Sequence, residues 1–195
     1  VDASATTYTV AGTTSLCGSD WKPADTNNDM IAMETGGFWK LFQNVPSGSH
    51  KFKVCKDHGW NTSWGNNGSD YTFSTTAKGY VAIYFNPTDG KVLAIAEKGT
   101  KLIVAGTKSL CGTDWNTTDT NNQLALQDDG TFQKVYTNVA KGYHEFKIVK
   151  DANWNTCWGN GSSNFGINLS ATCEKLTITF NPATGKITYT TGSNT

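Results

Sequence analysis

Trp21, Trp60 and Trp64 recur in the same order as Trp115, Trp154 and Trp158, each set in a loop-like stretch rich in Asn, Thr, Gly and Asp. Two of the three follow a short alternating run, Phe52-Lys53-Val54-Cys55-Lys56-Asp57 in one place and Phe146-Lys147-Ile148-Val149-Lys150-Asp151 in the other. On a strand, alternation sends Phe52 and Val54 to one face and Lys51, Lys53 and Cys55 to the other. The apolar face packs inward, so Lys53 and Lys147 point out on the side opposite Phe52 and Phe146. A lysine beside indoles, backed by a rigid strand, suits a flat and hydroxylated ligand. The indole faces stack on the C–H surface of a sugar ring, and polar side chains fix its hydroxyls.

A tryptophan is also a common core anchor, and that reading stands beside the functional one. Two features favour the surface. These residues lie in polar loops, which sit on the surface and carry function, and they persist between the two copies, whereas Trp39 becomes Gln133. Trp21 and Trp115 are the pair expected to be partly core.

Two further motifs could carry chemistry. Asp25-Thr26-Asn27-Asn28-Asp29 has the Asp-x-Asn-x-Asp start of a calcium loop. The second copy has Gln123 in place of Asp29, and neither has the downstream glycine and glutamate, which favours side chains that cap their own turn. The acids Asp20, Asp57 and Asp70, with Asp114 and Asp151, raise the question of hydrolysis. Glycoside hydrolysis needs two carboxylates ~5–9.5 Å apart across one bond. Asp70 is Asn164 in the second copy, which leaves Asp20 and Asp57 as the possible pair. Sugar-binding sites also use acids as hydroxyl acceptors. No Cys/His spacing suits a metal, and no cofactor is expected.

The elements that hold these residues come in two copies. Val10-Ala11-Gly12-Thr13 recurs as Val104-Ala105-Gly106-Thr107, and Leu16-Cys17-Gly18-Ser19-Asp20-Trp21 as Leu110-Cys111-Gly112-Thr113-Asp114-Trp115. The offset is 94 as far as Gly65/Gly159 and 95 at Phe85-Asn86-Pro87/Phe180-Asn181-Pro182. Two domains of roughly 95 residues follow, 1–98 and 99–195, joined by a short boundary near Glu97-Lys98-Gly99-Thr100. Within the first copy the sequence predicts about seven strands, near 8–11, 30–34, 38–45, 49–56, 71–75, 79–85 and 91–97, punctuated by Gly36-Gly37, Ser47-Gly48 and Asp89-Gly90. No stretch of helical length keeps a 3.6 period. The fold class is therefore all-β: two tandem, immunoglobulin-like antiparallel β-sandwiches.

The bulk composition narrows the partners. The 195 residues carry 16 Lys, no Arg and 16 Asp plus Glu, for a formal net charge of zero. That argues against nucleic acid, whose binding rests on clustered Lys and Arg, and against a polybasic membrane surface. No apolar run is long enough to span a bilayer. No leader segment is present in this stretch, and one is expected to have been removed. Of five cysteines, an odd number, at least one has no partner in the chain. Cys17 and Cys111 read as buried thiols. Cys157 and Cys173 are either a disulfide private to the second copy or two more free thiols.

The order Val-Ala-Gly, Leu-Cys-Gly-x-Asp-Trp, Asn-Val-x-x-Gly, Phe-Lys, then Trp followed by Trp-Gly resembles the starch-binding modules of bacterial pullulanases. Similar tandem copies occur in the amylosome, or cell-surface starch-adherence, proteins of gut bacteria. The resemblance covers nearly the whole chain, twice. More distantly the chain is similar to the glycogen-binding modules of branching enzymes and of a eukaryotic kinase regulatory subunit. In that wider family two tryptophans stack on α-glucan and a strand lysine bonds a hydroxyl. Carried over, this implies Trp21, Lys53 and Trp60 in the first copy and Trp115, Lys147 and Trp154 in the second. Asn66 and Asn160 are the candidates for the sugar-bonding asparagine. Trp64 and Trp158 depart from the glycogen-binding pattern, which leaves open which two of three rings form the platform.

The resemblance implies a secreted or cell-surface, monomeric, non-catalytic protein whose partners are starch, amylopectin and maltooligosaccharides, with one site per domain. Two competing readings remain. One is a domain associated with a glycoside hydrolase and carrying catalytic carboxylates. The other is a pair of adhesion or spacer domains with no glycan site, for which every repeated tryptophan would be buried.

Overall fold

The computed structural model describes residues 6–193; the outermost ends of the two expected domains, 1–5 and 194–195, lie outside them. The chain divides into two compact units, Val1–Gly99 and Thr100–Thr195.

In the first unit the strand dictated by alternation is β4 (Gly48–Lys56). It is the centre of one sheet, with β1 (Tyr8–Gly12) on one side. Its other side is shared by β5 (Ser63–Trp64), opposite Val54 and Cys55, and β6 (Tyr71–Thr75), opposite Gly48 to Phe52. The second sheet runs β2 (Ile31–Ala32), β3 (Phe38–Val45), β7 (Gly79–Asn86), β8 (Lys91–Ala96). Every pairing is antiparallel. Val10, Phe52 and Val54 from the first sheet and Phe42, Val81, Ile83 and Phe85 from the second form one buried cluster, so the two sheets pack face to face as a sandwich.

The second unit repeats this plan. One sheet joins β9 (Leu102–Gly106), β12 (Gly142–Lys150), β13 (Asn153–Trp158) and β14 (Phe165–Leu169) around β12. The other runs β10 (Ala125–Leu126), β11 (Phe132–Val139), β15 (Cys173–Asn181), β16 (Lys186–Gly192). The expected all-β sandwich class holds. Each unit has one strand more than expected: β5 takes Trp64 out of the loop and into a sheet, and β13 takes both Trp154 and Trp158. The only helical pieces among the described residues are short: four-residue turns α1 (Thr14–Cys17) and α2 (Lys108–Cys111), and single 3₁₀ turns at Thr26–Asn28 and Thr120–Asn122.

The five cysteines are all free. The possible Cys157–Cys173 disulfide is not formed. Cys157 Sγ instead donates to the Trp154 carbonyl at 3.0 Å, and Cys173 Sγ to that of Lys175. Cys17 and Cys111 are buried, with their thiols on the carbonyls of Val10 and Val104.

Candidate functional site

Residues of odd number on β1 and β4 face away from the core, yet Thr9, Ala11 and Cys55 are buried. Two loops cover them. The first leaves β1 and is pinned back to it where the Trp21 amide donates to the Gly12 carbonyl at 2.8 Å. The second leaves the far end of β4, where the Asp57 amide donates to the Thr7 carbonyl and the Lys56 amide to that of Thr62. The loops thus spring from opposite ends of the strand pair, and Trp21 and Trp60 meet above its middle with ring centroids 6.2 Å apart and planes inclined at 39°. The second unit builds the same arrangement. Trp115 is pinned to Gly106 at 2.7 Å, and Trp115 and Trp154 lie 6.2 Å apart at 48°. Trp60 and Trp154 are 46% and 45% exposed, so a face of each stays open to solvent.

The backbone is bent to this purpose. Trp21 and Trp115 have φ of 49° and 53°, a left-handed conformation that is rare for a bulky side chain. Gly12 and Gly106 allow the close approach: a Cβ on Gly12 would strike the Lys51 carbonyl and lie 2.7 Å from Phe52 Cβ. The second loop turns through two consecutive left-handed residues, Asp57 and His58, or Asp151 and Ala152. Asp57 Oδ1 accepts the Thr7 amide, and Asp151 Oδ1 the Lys101 amide, both across the sheet edge. These two acids of the hydrolase reading thus brace the backbone.

Lys53 stands on the outer face, as alternation demands. Its ammonium donates to the Gly68 carbonyl at 3.1 Å, and that of Lys147 to the Ser162 carbonyl at 2.9 Å. Each carbonyl belongs to a two-residue turn closed by reciprocal amide bonds, Asn66 with Ser69 and Asn160 with Ser163. An ammonium has three protons; Lys147 also donates to Cys157 Sγ at 4.0 Å, so Lys53 keeps two donors and Lys147 one.

Trp64 and Trp158 point the other way, into the sandwich. Trp64 pairs with Val54, an inward position, and its ring packs 4.7 Å from Phe85 and 5.9 Å from Tyr8. Trp158 packs 4.8 Å from Phe180. Asn66 and Asn160 are exposed and line clefts of about 650 and 390 Å³ beside Trp64 and Trp158. Each unit therefore pairs two tryptophans, packs the third against the core, and ties the outward lysine to the turn that Asn66 or Asn160 closes.

The Asp-x-Asn-x-Asp stretch caps its own turn. Asp25 accepts from the Asn27 amide and Ser19 hydroxyl, which hold its carboxyl below the usual carboxylate range, the serine bond most. Asp119 does the same with Asn121 and Thr113. Asp29 accepts from Thr9 Oγ1 at 2.6 Å and from His58 Nε2 at 2.8 Å, a brace between the two tryptophan loops. In the second unit Ile103, Gln123 and Ala152 stand at these three places, so that brace is private to the first.

Sequence reasoning missed Tyr143. It projects from β12 on the same face as Lys147 and is 60% exposed, but Ser49 occupies its place in the first copy and so no repeat marked it.

A family model described as the pullulanase X25 domain matches this sequence twice, over residues 7–92 and 103–187. No curated protein matches. Among solved structures, a pullulanase from Bacillus acidopullulyticus is similar over 97% of this chain and 29% of its own length, with 10% identity and a TM-score of 0.42. Among the described residues no helix is long and apolar enough to cross a membrane.

Proposed function

The chain belongs to the pullulanase X25 domain family, in two tandem copies, and from that premise we propose that it is a non-catalytic carbohydrate-binding protein for starch-type α-1,4-glucan. Each domain holds one site: Trp21, Trp60 and Lys53 in the first, Trp115, Trp154 and Lys147 in the second. Neighbouring glucosyl units stack on the two indoles, and the lysine donates to the 2- and 3-hydroxyls. Partners are amylopectin, amylose and maltooligosaccharides, met outside the cell or at its surface.

The observation that carries this reading is the inclination of the paired rings, 39° in the first domain and 48° in the second. An α-1,4 chain curves, and two rings set at an angle follow it, whereas the flat row of a β-1,4 chain asks for coplanar rings. A built angle also explains the left-handed backbone at Trp21 and Trp115, a cost that a mere core anchor would not require.

Affinity electrophoresis tests the reading in gels containing amylopectin, xylan or hydroxyethylcellulose. Amylopectin alone should retard the protein, and the double variant W60A/W154A should run as in a gel without polysaccharide. Equal mobility of the parent protein in all gels would overturn the proposal.

A further inference from the structure

On β12 the outward positions run Tyr143, Glu145, Lys147 in a single row, while His144, Phe146 and Ile148 face the core and are buried. Lys147 already belongs to the tryptophan site. Tyr143 lies four residues away, roughly 13 Å along the strand at ~3.3 Å per residue. Its ring is not loose. It leans diagonally across the sheet onto Gly166, the cross-strand partner of Glu145. A Cβ on Gly166 would lie 2.9 Å from both Cε2 and Cζ of Tyr143 and closer still to its oxygen, so any larger residue there would displace the tip of the ring. The Tyr143 hydroxyl donates to Glu145 Oε1 at 2.9 Å, and Asn164 Nδ2 donates to Glu145 Oε2 at 3.3 Å. That hydroxyl bond is the main reason why the phenol is held above its ordinary pKa.

The tip of the ring thus lies beside a glycine and its hydroxyl is fixed by a carboxylate, yet the residue is 60% exposed. Packing an aromatic over a strand glycine stabilises a sheet by itself. Most of the ring stays open to solvent, and Glu145 and Asn164 add an acceptor and an amide beside it, the kind of polar groups that orient a ligand. The first domain has nothing of the kind. At the places of Tyr143, Glu145, Asn164 and Gly166 it carries Ser49, Lys51, Asp70 and Thr72.

Resting on the α-glucan reading above, we propose that Tyr143, with Glu145 and Asn164, is an additional aromatic subsite of the second domain, continuous with Trp115, Trp154 and Lys147. It stacks a further glucosyl unit of the same chain and makes the second domain selective for longer α-glucans. The first domain is satisfied by the short segment that its tryptophan pair covers. The two sites of the chain therefore differ in the length of glucan they read.

The test is calorimetry on the full chain with the first site disabled by W60A. In that protein Y143S, which installs the residue of the first domain, should weaken maltoheptaose binding about fivefold to tenfold, the worth of one aromatic stacking contact. Maltotriose, too short to leave the tryptophan pair, should bind unchanged. Loss of affinity for neither oligosaccharide, or equal loss for both, would overturn the subsite, the second by showing that Tyr143 acts through Lys147. The converse graft S49Y/K51E/D70N/T72G on a W154A background should give the first domain a preference for maltoheptaose over maltotriose that it lacks without the graft; no gain in a variant that melts normally also counts against the proposal. If W60A protein binds neither oligosaccharide, the tryptophan-pair reading falls, and the subsite with it.

Discussion

The Lys53 ammonium reaches the Gly68 carbonyl across the outer face of the first sheet, 3.1 Å away and fifteen residues on. Lys147 and Ser162 repeat this at 2.9 Å. Each lysine thus ties the outer face of its sheet to that turn, which holds its ammonium in a fixed position.

Replacing these lysines should therefore weaken binding without unfolding the protein. Lys53→Met and Lys147→Met each remove one exposed bond to a carbonyl and one ligand donor. Each is expected to cost its own site about 0.5–3 kcal/mol of affinity, read by calorimetry with maltoheptaose. The melting temperature should move little. An unfolded Met variant would show that the tie to the turn is what the lysine is for.

The three tryptophans of a domain should divide by readout. Trp60→Ala removes an exposed ring and should abolish most binding at the first site with little change in melting. Trp64→Ala removes a ring packed on Phe85, Tyr8 and Gly90. Losing a core aromatic costs about 3–5 kcal/mol, and the partial burial of Trp64 puts it near the lower end. Trp154 and Trp158 should divide in the same way. Circular dichroism melts beside affinity electrophoresis separate the two effects. Trp64→Ala protein that melts like the parent but no longer binds would reverse the assignment.

Thiol reactivity should follow burial. Loss of solvent pushes Cys17 up to about 12 and Cys55 and Cys111 up to about 11, so at pH 8 each stays protonated and inert. Cys157 is partly exposed beside Trp154. Iodoacetamide on the folded protein should label Cys157 first, and mass spectrometry should find Cys17, Cys55 and Cys111 modified only after denaturation. Labelling of Cys157 should also impair the second site and spare the first, where Ser63 stands.

Acid should loosen the loops that carry Trp21 and Trp115. Asp25 and Asp119 have carboxyls held below their usual value by hydroxyl and amide donors. A depressed folded-state pKa stabilises the fold above the ordinary carboxylate range, and that contribution is lost as pH falls below it through the folded value. Stability should thus be flat with respect to these groups above about pH 5 and decline below about pH 4. D25N/D119N protein, which lacks the titrating groups, should show a shallower acid limb in melts between pH 2.5 and 6. An unchanged acid limb would place the titration elsewhere.

Much of this protein is legible in its sequence because it is written twice. The repeat reveals two copies of one family domain, and strict alternation on β4 and β12 sends Phe52 and Phe146 inward and Lys53 and Lys147 outward. What escapes is set by contacts between distant segments. Cys55 lies on the outer face that alternation assigns it and is buried there, because two loops close over it. Trp64 belongs to a strand of two residues, too short to have a period, and its burial is decided by Phe85 and Gly90 on another hairpin. Tyr143 escapes for the opposite reason: comparison of the copies favours what they share, and this residue is where they differ.

The turns that receive the lysines also set a clock. Asn67-Gly68 and Asn160-Gly161 are the Asn-Gly peptides at their tips, held open by left-handed glycines. In such a peptide no side chain shields the glycine nitrogen from the asparagine carboxamide, and slow cyclisation to a succinimide, with loss of ammonia, ends in aspartate or isoaspartate. This is one chemical reason why asparagine counts among the thermolabile residues. Either product puts a new carboxylate within reach of the lysine, and isoaspartate also lengthens the turn by one backbone atom. A stored sample of this protein would therefore age first at the wall of its own sites, gaining negative charge there while both sandwiches stay folded.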